Sequence, residues 1–319
     1  MHLKRSGVTV ALAAALTLGG GFLAGCSIRR VAVDGIGNSL TSGPSVFETD
    51  DDIELVGDAL PFSLKLLEML LNESPNHPGL LLSACKGYTL YAYAYVQRAA
   101  EAGAETDIEK SRETVARAKK LYLRAVGYGL RGLDQGAPGL SGALEKDPKA
   151  AAAKAHKEDV PLLYWTAAAL GLAISANKGN AEMIARLPEV DALLARGLAL
   201  DEAWDGGQLH EFAITFAAAN PAATPDPKVL QAHYDRALAL SEGKRASLFV
   251  TWAESVSIPR QRHAEFTAML EKALAVDVEA SPNLRLSNQI ALRRARWLQG
   301  RADTYFLDDS TPATEGSTP

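Results

Sequence analysis

Apolar residues recur every three to four positions along most of this chain, the spacing of one face of an α-helix. Leu64, Leu67 and Leu71 begin the pattern, and Leu80 to Leu82 continue it. Alternating β-branched runs are nearly absent, and proline- and glycine-containing breaks divide the pattern at residues 74–78, 136–139, 220–227 and 281–283. The pattern predicts an all-α protein of about ten to twelve helices, each of about 12–28 residues.

Several breaks carry the residues that start helices. Asp226 precedes Pro227 and Ser281 precedes Pro282, which suits an N-cap followed by proline in the first turn. Asp50, Asp51 and Asp52 lack the glycine and the final glutamate of a calcium loop. We therefore expect them to cap the first long helix.

A short phrase repeats within the helical region. It occurs at residues 194–201, 234–241 and 270–277, with an earlier echo at 122–126. In each copy a basic residue precedes a small one that would let a paired helix approach closely: Arg124, Arg196, Arg236 and Lys272. Their intervals are close to one or two tetratricopeptide units of about 34 residues. We predict degenerate tetratricopeptide-like repeats over residues 53–308.

The amino terminus has the pattern of a bacterial lipoprotein signal. Lys4 and Arg5 precede an uncharged run that ends in Leu23-Ala24-Gly25-Cys26. An uncleaved transmembrane helix is the alternative, but the Ala/Gly-rich run and its final motif favour cleavage before Cys26. We expect residues 1–25 to be removed, Cys26 to carry acyl chains, and the protein to be anchored to the envelope in the periplasm. Ser27 would favour the outer membrane in a Gram-negative cell.

The flanking segments differ in composition from the helical region. Residues 26–52 are predicted to be a tether or N-terminal arm, and the Ser/Thr/Pro/Gly-rich residues 309–319 a disordered tail. The formal net charge of −5, without a basic run, argues against nucleic acid as a partner. Cys85 is the only cysteine besides Cys26, so no intramolecular disulfide can form once Cys26 is acylated. Its apolar surroundings favour a buried, inert thiol.

Motifs for catalysis or cofactor binding fail on inspection. Residues 127–132 match G-x-G-x-x-G, but they lie in a helical pattern with no preceding strand, which favours close helix packing over dinucleotide binding. His210-Glu211 begins H-E-x-x-H, but Ile214 occupies the last position, and no G-x-S-x-G is present. The histidines show no ligand spacing. The sequence therefore predicts no enzyme, no cofactor and no metal site.

Tyrosines form the most distinctive candidate binding feature. Tyr88, Tyr91 and Tyr95 lie at positions i, i+3 and i+7, on one face of a helix. Such a stripe can line a ligand groove or seal a helix–helix seam, and both interpretations stay open. Because each hydroxyl needs a partner or water, we predict a cleft or pore, with Trp165 as a neighbour from a later helix.

Four blocks of sequence resemble a known family. They run from Leu64 to Val96, from Ala118 to Arg131, from Pro161 to Pro188, and from Asn288 to Leu298. Together with the lipoprotein signal they are similar to the T component of tripartite ATP-independent periplasmic (TRAP) transporters, over nearly the whole mature chain. The chain departs from the family pattern at two places. Gly127 stands where an acidic residue is expected, and residues 150–153 form an insert rich in small residues.

The resemblance implies a non-enzymatic accessory to solute uptake. It implies a lipid-anchored periplasmic protein of tetratricopeptide-like helices that forms a homotrimer and partners a solute-binding P component. It also implies a pore or cleft that passes a small, hydrophobic ligand. The alternative is a tetratricopeptide lipoprotein that acts as a scaffold in envelope assembly and binds peptide segments of other envelope proteins.

Overall fold

The chain folds as a succession of α-helices. The computed structural model describes residues 33–39, 45–220 and 224–307, and these contain no β-strand, so the all-α class is confirmed there. In chain order the helices are α1 (residues 33–39), α2 (Ile53–Glu73), α3 (Pro78–Tyr91), α4 (Arg98–Gly103), α5 (Ile108–Gly136), α6 (Leu140–Leu144), α7 (Pro148–Ala152), α8 (Val160–Ser175), α9 (Ala181–Ile184), α10 (Leu187–Asp201), α11 (Gln208–Ala219), α12 (Pro227–Ser241), α13 (Ala246–Trp252), α14 (His263–Leu274) and α15 (Arg285–Gln299).

Helix lengths vary more than the periodicity predicts. Within the described residues nine helices reach 12 residues, and the longest, α5, has 29. The segment 140–152 forms only two short helices, because glycine and proline interrupt the helical conformation every few residues. Two of the segments that the structure describes are π-helical: Ala92–Gln97, which joins α3 to α4, and Ala253–Ser257, which extends α13. No helix in the described part is both long and apolar enough to cross a bilayer.

The predicted caps are confirmed at two of three sites. The Asp52 carboxylate accepts from the Leu55 amide at 2.9 Å, and the Asp226 carboxylate accepts from the Lys228 amide at 2.8 Å. Ser281 makes no such bond. Residues 282–284 form a 3₁₀ turn instead, and α15 begins only at Arg285.

The two largest of the four hydrophobic clusters among the described residues fill most of the interior. The first surrounds α8, whose residues are nearly all buried between α3, α5 and α10; the second involves α11 to α15. The small residues of the repeated phrase lie in these seams, since Ala125, Ala237 and Ala273 are all buried. This confirms their predicted packing role. The tetratricopeptide-like character of the pairs stays a prediction.

The last helix returns to the first long one. The Leu286 amide donates to the Glu48 carbonyl at 3.1 Å, and the Arg285 guanidinium donates to the Thr49 carbonyl at 2.8 Å. Ile53 and Val56 of α2 pack with Leu286 of α15 in a small apolar cluster. The succession of helices is thus closed by contact between its two ends, which we call the closing seam.

The N-terminal segments that the structure describes contact the body. The Ser74 hydroxyl donates to the Asp34 carboxylate of α1 at 2.5 Å, and Glu48 pairs with Lys86 of α3. Cys26, the signal segment 1–25 and the tail 309–319 lie outside the described residues, so their processing, acylation and disorder stay predictions.

Candidate functional site

The predicted tyrosine stripe lies along α3 and the π-helical turn that follows it. The Tyr95 hydroxyl donates to the Ile53 carbonyl of α2 at 2.9 Å, and its ring stacks on Tyr91 with centroids 5.9 Å apart. The Tyr95 ring also fills the space beside Gly57, where an added Cβ would lie 2.5 Å from Cε1. Tyr88, only 2% exposed, stacks on Tyr128 of α5. The three rings share one face, as their spacing predicts, and this face is turned toward α2 and α5.

Arginines of α5 cover the stripe from outside. Arg117, Arg124 and Arg131 recur every seven residues, and all three are exposed. Their guanidinium carbons lie 5.8 Å from the Tyr91 ring, 5.4 Å from the Tyr88 ring and 5.5 Å from the Tyr128 ring, respectively. We call this arrangement the tyrosine–arginine ladder: Tyr88, Tyr91, Tyr95 and Tyr128 with Arg117, Arg124 and Arg131.

Hydrogen bonds satisfy the hydroxyls of the ladder. Arg117 donates to the Tyr91 hydroxyl at 3.2 Å, and Arg124 donates to that of Tyr88 at 3.4 Å. The Tyr128 hydroxyl donates to the Glu68 carboxylate at 2.9 Å. Burial, together with Glu68, raises the pKa of Tyr88 to about 12, so the ring stays neutral at physiological pH. Tyr88 therefore lies in a helix–helix seam, whereas Tyr91 and Tyr95 keep partial exposure.

The outer edge of the ladder is positively charged. No acidic residue occurs from Thr114 to Leu133 of α5, and the basic residues there are Arg117, Lys119, Lys120, Arg124 and Arg131. Arg124 is partly compensated by Glu68, 3.3 Å away. On a chain with a net charge of −5, this helix face is a local exception. Its charge and its aromatic rings suit the binding of an acidic partner surface.

Trp165 does not lie with the ladder. Its ring packs edge-to-face on Tyr164 at 4.9 Å, and the Lys86 ammonium group lies 5.7 Å from its centroid. Tyr164 in turn contacts Trp204 and Phe212, with centroids 5.0 and 5.9 Å away. We call these residues the inner aromatic cluster: Tyr164, Trp165, Trp204 and Phe212. In the described part of the chain no ring contact joins Trp165 to the three tyrosines, although Trp165 and Tyr88 share the first hydrophobic cluster.

A charged network lies at the closing seam. The Arg98 guanidinium is 4.4 Å from the Tyr93 ring centroid and 2.7 Å from Glu101. Arg294 of α15 reaches Glu101 at 3.0 Å and Glu254 at 2.5 Å. Burial alone would raise the pKa of the Glu101 carboxyl. The two guanidinium groups of Arg98 and Arg294 lower this pKa by more than burial raises it, so the net shift is downward. We call these groups the seam network: Tyr93, Arg98, Glu101, Glu254 and Arg294.

Sequence reasoning missed this network because its members come from distant helices. Tyr93 and Glu254 both belong to π-helical turns, where an inserted residue shifts the faces that regular spacing would assign. Tyr93 lies off the face shared by the three stripe tyrosines. The one signal in the sequence was the dense tyrosine run from 88 to 95, which we interpreted by helical spacing alone.

The failed motifs have structural explanations. Gly129 and Gly132 pack closely, since an added Cβ would lie 2.1 Å from the Thr166 hydroxyl and 2.7 Å from Leu162, whereas Gly127 faces open space. Cys85 is fully buried beside Thr166, which confirms the predicted burial, and burial raises the pKa of its thiol to about 12. Glu211 lies between the Ser247 and Thr251 hydroxyls, at 3.0 and 3.1 Å, and burial raises the pKa of its carboxyl.

Comparison with known proteins agrees with the resemblance in the sequence. Residues 49–306, which include every helix from α2 to α15, match the family described as "TRAP transporter T-component". An uncharacterized protein of Treponema pallidum (strain Nichols) is 28% identical over 305 residues, which cover 89% of this chain and 94% of that protein. The match spans both hydrophobic clusters, the tyrosine–arginine ladder and the seam network. The chain therefore belongs to the TRAP transporter T-component family.

Proposed function

We propose that this protein is the lipid-anchored periplasmic accessory of a TRAP-type solute uptake system, where it docks the solute-binding P component. The observation that carries the proposal is the family match over residues 49–306. In this proposal acyl chains on Cys26 hold the protein at the envelope. Its action is recognition across a helical surface and involves no bond chemistry.

The tyrosine–arginine ladder is the surface that we propose for docking. Tyrosine and arginine are the residue types that most often dominate binding energy at interfaces, because both offer a large contact area and directed hydrogen bonds. Here each arginine is already held over a ring, so less side-chain freedom is lost on binding. The exposed guanidinium of Arg117 would meet acidic groups on the partner.

For ligand passage we propose the inner aromatic cluster and the neighbouring seam network. Tyr164, Trp204 and Phe212 present apolar rings, and the seam network places two arginines and two glutamates beside Tyr93. Apolar walls with a few fixed polar groups are typical of small-molecule sites. A small, hydrophobic solute with a polar end suits this chemistry.

Affinity capture tests the docking proposal. The full-length protein is solubilised from the native cell envelope in mild detergent and captured at physiological salt. It should retain a P-type solute-binding protein, which mass spectrometry identifies. Arg117→Glu should reduce the captured amount at least tenfold, since it reverses charge in the ladder. Arg112→Glu, on the same helix and equally exposed, is the matched control and should capture normally.

The outcomes separate the competing interpretations. Absence of any solute-binding protein with the unmodified protein would refute the uptake role. Capture of diverse envelope proteins through peptide segments would favour the assembly scaffold instead. Equal capture by both variants would agree with the uptake role but would show that the docking surface lies outside the tyrosine–arginine ladder. Homotrimer formation is a separate expectation, which sedimentation equilibrium of the same preparation would measure.

A further inference from the structure

Two histidines that are far apart in sequence meet between α11 and α12. The Nδ1 atoms of His210 and His233 are 2.8 Å apart, and the ring centroids are 5.1 Å apart. His210 is 8% exposed, whereas His233 is partly open to solvent. Sequence spacing does not predict the pair, because the residues lie 23 positions apart on separate helices.

A carboxylate fixes the proton of the inner ring. Glu202 Oε2 lies 3.2 Å from His210 Nε2, so that nitrogen carries the hydrogen and Nδ1 keeps its lone pair. His233 must then donate its own Nδ1 hydrogen to His210. Arg236 also pairs with Glu202, which restrains the carboxylate and compensates the arginine's charge. Burial lowers the pKa of both imidazoles, so both rings are neutral near pH 7.

We propose that His210 and His233 form a binding site for a divalent late transition-metal ion, with Glu202 as its positioning residue. Neutral imidazoles are common ligands for such ions, and a carboxylate on the opposite ring nitrogen is the usual outer support. Two nitrogens at about 2.0 Å from a metal and at right angles to each other are about 2.8 Å apart, whereas a tetrahedral ion needs about 3.3 Å. The observed 2.8 Å is the length of the hydrogen bond between the two rings, and it lies close to both values, so the two donor atoms are already adjacent.

Binding requires a small rearrangement with a simple proton balance. Both rings turn until their lone pairs converge on the ion, and the more exposed His233 can move most freely. The His233 hydrogen shifts from Nδ1 to Nε2 through solvent, so neutral rings release no proton. Among the described residues no group of three or more His, Cys, Asp or Glu side chains converges on one point, so water supplies the other ligands.

The ion would join the two halves of the interior. On α11, Ala213 belongs to the first hydrophobic cluster and Ile214 to the second, while Leu230 of α12 belongs to the second. The histidine pair lies at this junction. A metal bridge there would restrain α12 against α11 in addition to their apolar contacts.

Calorimetric titration with NiCl₂ tests the site. The purified full-length protein, prepared without a polyhistidine tag, should bind one equivalent saturably. His233→Ala should weaken binding at least tenfold, and Glu202→Gln, which keeps both imidazoles, should weaken it about tenfold to a hundredfold. His263→Ala removes an exposed histidine elsewhere and should leave the affinity unchanged.

Circular dichroism of each variant confirms that it is folded, so a loss of affinity reports the site itself. Absence of saturable binding to the unmodified protein would overturn the proposal. Equal affinity in His233→Ala would do the same, because it would place the ion on other ligands.

Discussion

Alanine substitutions at the glycines of α5 test the close packing that explains the G-x-G-x-x-G match. At Gly129 an added Cβ would lie 2.1 Å from the Thr166 hydroxyl and 2.9 Å from the Cys85 sulfur, and both neighbours are completely buried. At Gly127 the same atom would meet nothing within 4 Å. The two sites share a helix and a residue type, so they differ mainly in packing.

The expected magnitudes follow from two opposing terms. Glycine to alanine within a helix gains up to about 1 kcal/mol of helix stability, and Gly127→Ala should realise this gain. Overpacking a rigid core costs about 1–3 kcal/mol, and the 2.1 Å contact places Gly129→Ala at the upper end. After the helix gain, Gly129→Ala should lose about 2 kcal/mol. The two variants should therefore differ by about 3 kcal/mol.

Thermal and urea unfolding followed by circular dichroism at 222 nm measure this difference. For a domain of this size each kcal/mol corresponds to about 2–4 °C in Tm, so the two variants should be separated by about 6–12 °C. Gly132→Ala should fall between them, because its Cβ would meet the flexible end of Leu162. Equal Tm values for Gly127→Ala and Gly129→Ala would refute the packing explanation.

Three further predictions concern the anchor, the seam network and a buried acid. Cys26→Ser should release the protein into the soluble envelope fraction without loss of helicity; retention of the variant after a high-salt wash would place the anchor elsewhere. Arg294→Ala should cost about 1.5–3 kcal/mol in urea unfolding, since it leaves Arg98 as the one remaining cation of the seam network for both carboxylates, whereas the exposed Arg293→Ala should cost at most about 1 kcal/mol. Similar losses in both variants would contradict the role of the seam network. Burial raises the pKa of Glu211, so the unfolded state loses that proton first and stability falls as the pH rises through about 4.3. Glu211→Gln should therefore gain stability relative to the parent between pH 4 and pH 7, and a constant difference across that range would count against the buried acid.

Local chemistry predicted much of the backbone. Asp52 and Asp226 cap their helices because a short carboxylate next to a helix start satisfies free amides wherever the chain continues. The shared face of Tyr88 and Tyr91 follows from α-helix geometry alone, whereas Tyr95 lies in the π-helical turn and stacks on Tyr91 there. The spacing could not decide which neighbour that face would meet, because this depends on how α2 and α5 pack against α3.

Long-range contacts escaped sequence reasoning for a physical reason. Arg294 meets Glu101 and Glu254 because α15 packs beside both α4 and the π-helical turn after α13, which are far apart in sequence. A π-helical turn adds one residue per turn without a clear sequence signature, and it places Tyr93 beside Arg98. The same limit explains why spacing alone did not predict the contacts of Trp165 with Tyr164, or the contact between the two histidines.

Closure of the helical succession affects how the chain can fold. In an open stack each helix pair contacts only its sequence neighbours, so structure can spread from any point. Here Thr49 and Arg285 meet across 236 positions, and Glu54 and Arg293 across 239. The apolar side of α2 that carries Ile53 and Val56 is therefore only partly covered, by Tyr95, until the last long helix has arrived. Because contacts of such separation form slowly, the ends should join late, and truncation before residue 285 would leave two unprotected edges.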